Sequence, residues 1–360
     1  MTSNHSDRPP APEAARRVNV LPTIASPNPW RYRNKVQVPF GGTPGKPTAG
    51  FYHPGTHEIV DFEDCPVQPE LSVDIVRKVK GLAGRLGWKP YDSRTHTGWL
   101  RHLFIRTNTE GKALAAFVTR TPEFPGEASA VQEMTSAFPA IVSLFQNVQR
   151  EKSSVILGPV WRKLWGADRI EEKIGPLRLS VSPGAFLQVN TGATERLYGV
   201  LETMILSEGF RPGTLLDLYS GGGAIALWMA PKVGRVVGVE EVGSAVQDAI
   251  WNSRRNNIRN VLFLRSKTED FFRHQAARSL REPVAAVLDP PRSGCETYVL
   301  RGLARLGPER IGYVSCNPAT FARDARVLAD LGYALKRVQP VDLFPQTSHV
   351  ELVALFDRVR

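Results

Sequence analysis

The chain has 360 residues, of which 42% are hydrophobic and 22% are charged, and its formal net charge is +11. This size allows two ordinary domains and excludes a disulfide-stapled miniprotein, and the lack of any run of about 18 apolar residues excludes a membrane partner. Because residues 1–170 carry 22 Lys and Arg against 15 Asp and Glu, whereas residues 171–360 carry 24 against 20, the front half has the larger surplus of cations, which favours a phosphate-rich partner.

The first 25 residues are rich in Pro and Ala and lack the apolar core of a signal peptide. We expect residues 1–25 to be a disordered tail. The three cysteines, Cys65, Cys295 and Cys316, are too few and too widely spaced for a disulfide framework, which is typical of a reducing compartment. The sequence therefore predicts a cytoplasmic protein.

Residues 26–175 are expected to form a smaller, strand-rich domain. Residues 30–38 alternate between polar and apolar side chains and predict a strand with four polar residues on one face, namely Arg31, Arg33, Lys35 and Gln37. A row of cations on a strand suits a phosphate backbone, although a solvated strand face has the same pattern. Three more elements are predicted in this domain: a helix at Glu70–Leu86 and paired strands at Leu100–Thr107 and Lys112–Thr119.

From residue 176 to residue 360, strand-like apolar runs alternate with helical stretches. The runs are Thr214–Leu218, Arg235–Val239, Val261–Leu264, Ala285–Leu288 and Arg310–Val314. Helices are predicted between them, for example at Ser244–Asn256 and Pro318–Leu331. Strands that alternate with helices form a largely parallel sheet with helices on both faces. The predicted fold class is therefore α/β, with a Rossmann-like domain at 176–360 behind an α+β domain at 26–175.

A glycine-rich turn follows the first strand of the second domain. It contains Asp217, Tyr219, Gly221 and Gly223, and Glu240 closes the next strand. Such a turn lets backbone N–H groups approach a ligand, and the later carboxylate can accept ribose hydroxyls. The pattern fits both a nucleoside methyl donor and a dinucleotide. Asp217 favours the methyl donor, since a carboxylate before the glycines attracts a sulfonium cation and repels a pyrophosphate.

Two further motifs lie at strand ends. In Asp289-Pro-Pro-Arg292, the prolines hold a carboxylate in an extended turn at the sheet edge where ligands bind. In Ser-Cys-Asn-Pro, Cys316 follows the next strand and precedes a helix N-terminus, which lowers the pKa of a thiol and favours the thiolate. A lone cysteine is more often a buried structural residue. The combination of the two motifs favours a nucleophile instead.

Seven segments of the chain resemble the RNA uracil-C5-methyltransferase family, which modifies tRNA and large-subunit ribosomal RNA. They follow the family's order over residues 26–358 and read SPNPWRYRNKVQV, SPGAFLQVN, LLDLYSGGGAIAL, VVGVE, LDPPRSGC, YVSCNPATFARD and DLFPQTSHVELVALF. The resemblance implies a class I methyltransferase domain, S-adenosylmethionine as the cofactor and RNA as the partner of the front domain. It implies methyl transfer to C5 of a uridine. We expect a monomer that acts on 23S ribosomal RNA, with a T-loop uridine of tRNA as the alternative.

The resemblance also implies a role for each matching residue. Cys316 adds to C6 of the uracil and Glu351 removes the C5 proton, with His349 as the rival base because imidazole titrates near neutral pH. The cofactor is expected against Gln188, Asp217, Tyr219, Gly221, Gly223, Glu240 and Asp289. The substrate is expected against Phe186, Asn190, Asp289 and Arg292, where an aromatic face can stack on a flipped base.

Some positions depart from the family pattern. Many members bind a four-iron, four-sulfur cluster through four cysteines of the front domain, but only Cys65 matches one of them, so we expect no cluster and no metal. Lys267 stands where a small acid often contacts adenine, and Glu269 or Asp270 is expected to make that contact. Two other hypotheses stay open: a nicotinamide-dependent oxidoreductase that uses the glycine turn, and a catalytically silent RNA-binding protein on the same fold.

Overall fold

The strands of the protein form two large sheets and one hairpin in a computed structural model that describes residues 18–273, 280 and 282–359. β1 (Asn19–Val20) belongs to the C-terminal sheet. The front sheet contains β2 (Lys35–Thr43), β3 (Lys46–Tyr52), β4 (Ile59–Asp61), β5 (Leu100–Thr107), β6 (Ala113–Thr119), β7 (Ile141–Val148) and β8 (Val160–Gly166). Its order is β4-β3-β2-β5-β6-β7-β8, and β6 and β7 are its parallel pair. The helices α1 (Glu70–Arg85) and α2 (Glu127–Ala137) pack against it.

The predicted helix and hairpin of the front domain are confirmed. Helix α1 forms because apolar residues such as Ile75 and Val79 recur at helical spacing and are fully buried in the core beneath the sheet. The turn between β5 and β6 closes because the Asn108 side-chain oxygen accepts from the N–H groups of Glu110 and Lys112. Local chemistry therefore determines both elements.

The predicted strand at residues 30–38 is wrong over its first half, because β2 begins only at Lys35. Arg31 has a left-handed backbone with φ of 54°. Its guanidinium donates to the Asp64 carboxylate at 2.8 Å and to two carbonyl oxygens of the loop that follows. Arg31 therefore holds a loop of the front domain and does not belong to a row of cations.

The predicted tail at residues 1–25 is wrong for the part that the structure describes, and residues 1–17 lie outside the described range. β1 runs parallel to β16 (Tyr333–Val341) at the edge of the C-terminal sheet. The N–H groups of Leu21 and Ile24 donate to carbonyl oxygens of β16 at 2.9 and 3.0 Å. Residues 19–24 therefore form part of the sheet.

The C-terminal sheet has the order β1-β16-β17-β15-β14-β11-β12-β13. Its further strands are β11 (Thr214–Leu218), β12 (Arg235–Glu240), β13 (Val261–Arg265), β14 (Val284–Leu288), β15 (Arg310–Ser315) and β17 (Glu351–Arg358). β17 is antiparallel to β15 and β16, and the other pairs are parallel. The helices are α3 (Thr191–Ile205), α4 (Ala224–Met229), α5 (Gly243–Arg255), α6 (Thr268–Phe271), α7 (Thr297–Leu306) and α8 (Pro318–Asp330). A hairpin of β9 (Ile170–Ile174) and β10 (Leu177–Val181) precedes α3.

Alternate residues of the parallel strands pack on opposite faces of the C-terminal sheet. Leu215 and Val236 join one apolar cluster with α3 and the hairpin, whereas Leu216 and Val237 join another with α7 and α8. Burial on both faces explains the continuous apolar runs in the sequence and confirms the predicted α/β fold. The first cluster also contains Phe104 of the front sheet, so the two sheets share one core. In the described part of the chain, no helix combines the length and apolarity that a membrane span requires.

A buried polar network ties α8 to the loop that follows β14. The Asp324 carboxylate is 1% exposed and accepts from the Tyr313 hydroxyl at 2.6 Å, from the Cys295 N–H at 2.7 Å and from the Arg323 guanidinium at 2.9 Å. Arg323 in turn donates to the carbonyl oxygen of Ser293. Because the Asp324 carboxylate, the Tyr313 hydroxyl and the Cys295 N–H are buried together, their bonds fix the loop against the helix.

We expect Asp324→Ala to lower the free energy of unfolding by about 3 kcal/mol, because the Tyr313 hydroxyl and the Cys295 N–H would stay buried without an acceptor. The control is Asp330→Ala at the exposed end of α8, where Arg326 pairs at 3.4 Å, and we expect a loss below about 0.5 kcal/mol. Urea denaturation followed by circular dichroism would measure both values. Equal losses in the two variants would show that the network contributes nothing.

Candidate active site

Four of the predicted site residues lie where neighbouring parallel strands end. Asp217 lies near the end of β11, Glu240 ends β12, Asp289 follows β14 and Cys316 follows β15. Since β12, β11, β14 and β15 are consecutive in the sheet, these four side chains line one edge of it. The fold thus brings together residues that are far apart in the sequence.

The glycine turn is built around the Glu240 carboxylate. One oxygen accepts from the Gly221 N–H at 2.9 Å and the other accepts from the Val242 N–H at 2.8 Å. Gly221 has open space where a side chain would be, and Gly223 has φ of 79° with Phe263 2.7 Å from a Cβ placed there. The turn therefore requires glycine at 223 for packing and offers bare backbone at 221. Each oxygen of Glu240 keeps a lone pair for a ligand hydroxyl.

Asp217 is a buried carboxyl group at this edge of the sheet. Its side chain is fully buried, and neither carboxylate oxygen makes a hydrogen bond of normal geometry. Burial raises the pKa of Asp217 well above its usual range, and the Asp289 carboxylate raises it further. The Ala226 backbone N–H lowers this pKa in part. A buried carboxyl with so few partners beside an open glycine turn fits a ligand that brings a hydrogen-bond donor or a positive charge, as S-adenosylmethionine does.

Tyr219 has a left-handed backbone with φ of 64°. Its ring packs against the cluster beneath α7 and α8, and its hydroxyl contacts Cys295 and Thr268. Burial raises the pKa of this hydroxyl. Packing therefore accounts for the Tyr219 side chain, for which the sequence predicted cofactor binding.

Cys316 lies among two carboxyl groups and one cation. Its half-buried thiol is close to Glu351, Arg292 and Asp289, all of which affect its pKa. Glu351 is 2% exposed, and one of its carboxylate oxygens has no hydrogen-bond partner. Burial and the Asp289 carboxylate raise the pKa of Glu351 to about 8, and burial raises that of Asp289 to about 7.

These surroundings correct one prediction about the thiol. Burial raises the pKa of Cys316, and Glu351 and Asp289 raise it further, whereas Arg292 lowers it. The predicted lowering is therefore wrong for the free protein, because burial and the two carboxyls outweigh any lowering by the N-terminus of α8. Arg292 is therefore the residue that favours the thiolate here.

His349, the rival base, is engaged by the same arginine. The Arg292 guanidinium lies 2.9 and 3.2 Å from the two ring nitrogens of His349, and the Phe344 ring lies edge-on to it. His349 is exposed, in contrast to the buried Glu351 beside Cys316. The geometry favours Glu351 as the group that faces the reacting atoms.

The three residues of the Phe-x-Gln-x-Asn segment have different environments. The Phe186 ring is 63% exposed, which suits a stacking surface, and Gln188 is 8% exposed. Asn190 is buried and caps α3: its oxygen accepts from the Ala193 N–H, and its nitrogen donates to Ser26 and to a carbonyl oxygen. Asn190 thus ties α3 to neighbouring segments, and its contact with the substrate stays a prediction.

The front sheet anchors the segment that carries Phe186, and the sequence did not reveal this. The Asn34 side chain donates to the carbonyl oxygen of Gln188, and the Arg106 guanidinium donates to that of Ala185. The Tyr32 hydroxyl donates to a carbonyl oxygen of the loop before β17. An Asn and an Arg inside apolar strands are the signal that could have indicated buried polar contacts of this kind.

The positions that depart from the family pattern are placed as follows. Asp270 pairs with Arg273 at 2.9 Å. Lys267 directly precedes α6, and Glu269 in the first turn of that helix is partly exposed. The Cys65 carbonyl oxygen accepts from Arg31. Within the described ranges, no group of three or more His, Cys, Asp or Glu side chains could hold a metal ion.

Comparisons with known proteins agree with this geometry. The model of the tRNA (uracil-5-)-methyltransferase family matches residues 177–359. An RNA methyltransferase of Halalkalibacterium halodurans is 41% identical over 343 residues, which cover 94% of this chain and 74% of that protein. An RNA methyltransferase of Listeria innocua is 39% identical over 339 residues, with coverage of 94% and 74%.

A solved structure is similar over nearly the same range. It is the tRNA (uracil-54, C5)-methyltransferase of Pyrococcus abyssi in complex with S-adenosyl-L-homocysteine, which is 26% identical with a TM-score of 0.77. The match covers 94% of this chain and 78% of the other. The chain belongs to the tRNA (uracil-5-)-methyltransferase family and is an S-adenosylmethionine-dependent RNA methyltransferase of class I fold.

Proposed function

We propose that the protein methylates C5 of a uridine in RNA through a covalent bond between the Cys316 sulfur and C6 of the uracil. The observation that carries the proposal is the cluster of Cys316, Glu351, Asp289 and Arg292 at the sheet edge that also holds the glycine turn. A nucleophile, a buried carboxyl that can take a proton and a cation that stabilises the thiolate are the groups that this reaction needs.

The covalent step follows from the weak nucleophilicity of C5. The Cys316 thiolate forms a bond to C6, and the electron pair of the C5–C6 double bond moves onto C5 and O4. When bound, S-adenosylmethionine supplies an electrophilic methyl group to C5 and leaves as a neutral thioether. Glu351 then takes the proton from C5, the double bond forms again, and the C6–sulfur bond breaks to release the Cys316 thiolate.

The chain's own residues account for binding of both substrates. Asp217, Gly221, Gly223 and Glu240 would hold the methyl donor at the glycine turn, and Gln188 is proposed as a further contact. The exposed Phe186 ring would stack on the flipped uracil, and Asp289, with its pKa of about 7, would hydrogen-bond the uracil edge. The three carboxyls Asp289, Asp217 and Glu351 all raise the pKa of the buried Tyr198 hydroxyl, so the two sites adjoin.

We propose a uridine of 23S ribosomal RNA as the target of a cytoplasmic monomer, because the front segment resembles the family members that modify ribosomal RNA. The alternative is a T-loop uridine of tRNA, which the similarity to the Pyrococcus abyssi enzyme favours. The oxidoreductase hypothesis is abandoned, since the family match leaves it no support. A catalytically silent RNA-binding role would not explain why Cys316 lies beside Glu351 and Arg292.

We expect a covalent adduct with RNA that contains 5-fluorouridine, because the fluorine at C5 cannot leave as a proton does. Transcripts of tRNA and fragments of 23S ribosomal RNA would be incubated separately with the protein and S-adenosylmethionine. A denaturing gel should show the adduct with wild type and with Cys65→Ala but not with Cys316→Ala. The RNA that forms the adduct is the substrate. Methylation of ordinary RNA by Cys316→Ala would disprove the covalent mechanism.

Glu351→Gln should reduce turnover by roughly 10³-fold, because the amide cannot accept the C5 proton. The covalent adduct should therefore accumulate with unmodified RNA, which the wild type releases. Denaturing gels and methyl transfer from labelled cofactor would measure both effects. The control is His349→Gln, for which we expect less than about a tenfold loss and no adduct. The reverse pattern would make His349 the base.

Activity should increase with pH, since Cys316 and Glu351 both act in their deprotonated forms and burial raises the pKa of each. We expect the single-turnover rate to rise from pH 6 and to continue rising above pH 8, because the pKa of Glu351 is about 8 and burial raises that of Cys316 above the ordinary value of a thiol. Arg292→Gln should move this profile to higher pH, because the residue lowers the pKa of both groups.

Alkylation of Cys316 by iodoacetamide in a Cys65→Ala background would separate this effect from RNA binding. At neutral pH, Arg292→Gln should react several-fold more slowly than its parent, because less thiolate is present. Arg292→Lys keeps the charge and should react at nearly the parent rate. An unchanged alkylation rate in Arg292→Gln would show that Arg292 does not stabilise the thiolate.

A further inference from the structure

Two cations face each other across a strand pair of the front sheet. Lys35 of β2 lies opposite Arg106 of β5 in the antiparallel register. Side chains in such positions share one face of the sheet, and like charges there destabilise the pair. Arg33, two residues before Lys35, adds a third charge that acts on Lys35. The fold thus contains a repulsion that a bound anion would relieve.

Arg106 is a charge that the protein leaves mostly unpaired. Its side chain is 1% exposed, and Nη2 donates to the carbonyl oxygen of Ala185. Nε and Nη1 have no hydrogen-bond partner. Removing a guanidinium from water with two nitrogens unsatisfied is costly. Because no carboxylate pairs directly with Arg106, its positive potential acts on the neighbouring groups.

The acids nearest to Arg106 are already engaged. Glu172 and Asp248 raise the pKa of Arg106, which burial lowers to about 10. Glu172 accepts from Thr109 and from the Thr191 hydroxyl, and Asp248 accepts from Ser182 and pairs with another arginine at 3.0 Å. In the described part of the chain, no carboxylate lies within 4.0 Å of the side-chain nitrogens of Arg33, Lys35 or Arg106.

Lys35, like Arg33, can be reached by a ligand. Its residue is partly exposed, and its Nζ lies 5.6 Å from the centre of the Phe186 ring. The pKa of Lys35 is lowered to about 8 by burial and, to a smaller extent, by the charges of Arg106 and Arg33. The ammonium is therefore charged at neutral pH but poorly solvated, which strengthens its attraction for an anion.

We propose that Lys35 binds a backbone phosphate of the RNA beside the nucleotide that stacks on Phe186, in the positive field of Arg33 and Arg106. A cation next to an exposed aromatic ring is the arrangement that binds single-stranded nucleic acid, where the ring takes a base and the cation takes the adjoining phosphate. The proposal rests on the proposed function, because it assigns the phosphate to the same RNA.

The test measures RNA binding without chemistry. Fluorescence anisotropy with a labelled oligouridylate would give the affinity of wild type, Lys35→Gln, Lys35→Arg and Lys46→Gln over a range of salt concentrations. Lys46 is an exposed lysine at the opposite end of the β2–β3 pair, so its variant loses the same charge elsewhere. The thermal midpoint of each variant would show that the fold is intact.

We expect Lys35→Gln to bind three- to tenfold more weakly at low salt and to reduce the slope of log affinity against log salt by about 0.7, as one lost phosphate contact on a single strand does. Lys35→Arg should keep the slope, and Lys46→Gln should stay within about twofold of wild type. The proposal is overturned if Lys35→Gln matches Lys46→Gln. It is also overturned if affinity falls while the slope is unchanged, because Lys35 would then act only by supporting the Phe186 ring.

These outcomes are independent of those for the proposed function. If the Cys316 adduct fails to form but the salt slope depends on Lys35, the phosphate site stands and the chemistry is wrong. If the adduct forms and the slope does not depend on Lys35, the reverse holds. Saturating RNA should restore adduct formation in Lys35→Gln, since the residue contributes to binding and not to bond formation.

Discussion

The active site depends on carboxyl groups that are buried without a matching number of cations. Asp217, Asp289 and Glu351 all act on the buried Tyr198, and Arg292 is the cation that lowers the pKa of Glu351 and Cys316. Removing acids from water favours their protonated forms, and burial raises the pKa of all three carboxyls and of the Cys316 thiol. The same burial that costs stability gives the site its chemistry.

The second requirement is the joint between the two sheets. The segment from 182 to 190 belongs to the C-terminal half in sequence, yet Asn34 and Arg106 of the front half hold its carbonyl oxygens. The exposed Phe186 ring is therefore positioned by the front sheet, whereas the Cys316 cluster is positioned by the parallel strands. One apolar cluster spans both sheets, so the segment that carries Phe186 and the strands before Cys316 share one core.

The sequence predicted the α/β domain well because its signals are local. Apolar runs, the glycine turn and the two motifs at strand ends each follow from nearby residues, and the parallel sheet brings strand ends together. It failed where a distant contact overrides the local pattern. Alternation suggested a strand from residue 30, but Asp64 draws Arg31 into a left-handed turn. The thiol pKa was given the wrong direction because the burial of Cys316 and its closeness to Glu351 depend on contacts between distant parts of the sequence. The structural role of Asn190 was missed, because the bonds of its side-chain nitrogen to residues 26 and 343 join parts of the chain that are distant in sequence.

The short strand β1 has a consequence for how the molecule behaves among its own copies. It covers the outer side of β16, which would otherwise end the sheet with unpaired N–H and C=O groups. An open edge of this kind is a template on which another chain can add a strand. The pairing consists of a few hydrogen bonds from residues 19–24. If these residues detached from β16, the edge of the sheet would be open to pairing with another chain. Residues 19–24 thus close one edge of this sheet, and β13 lies at its other edge.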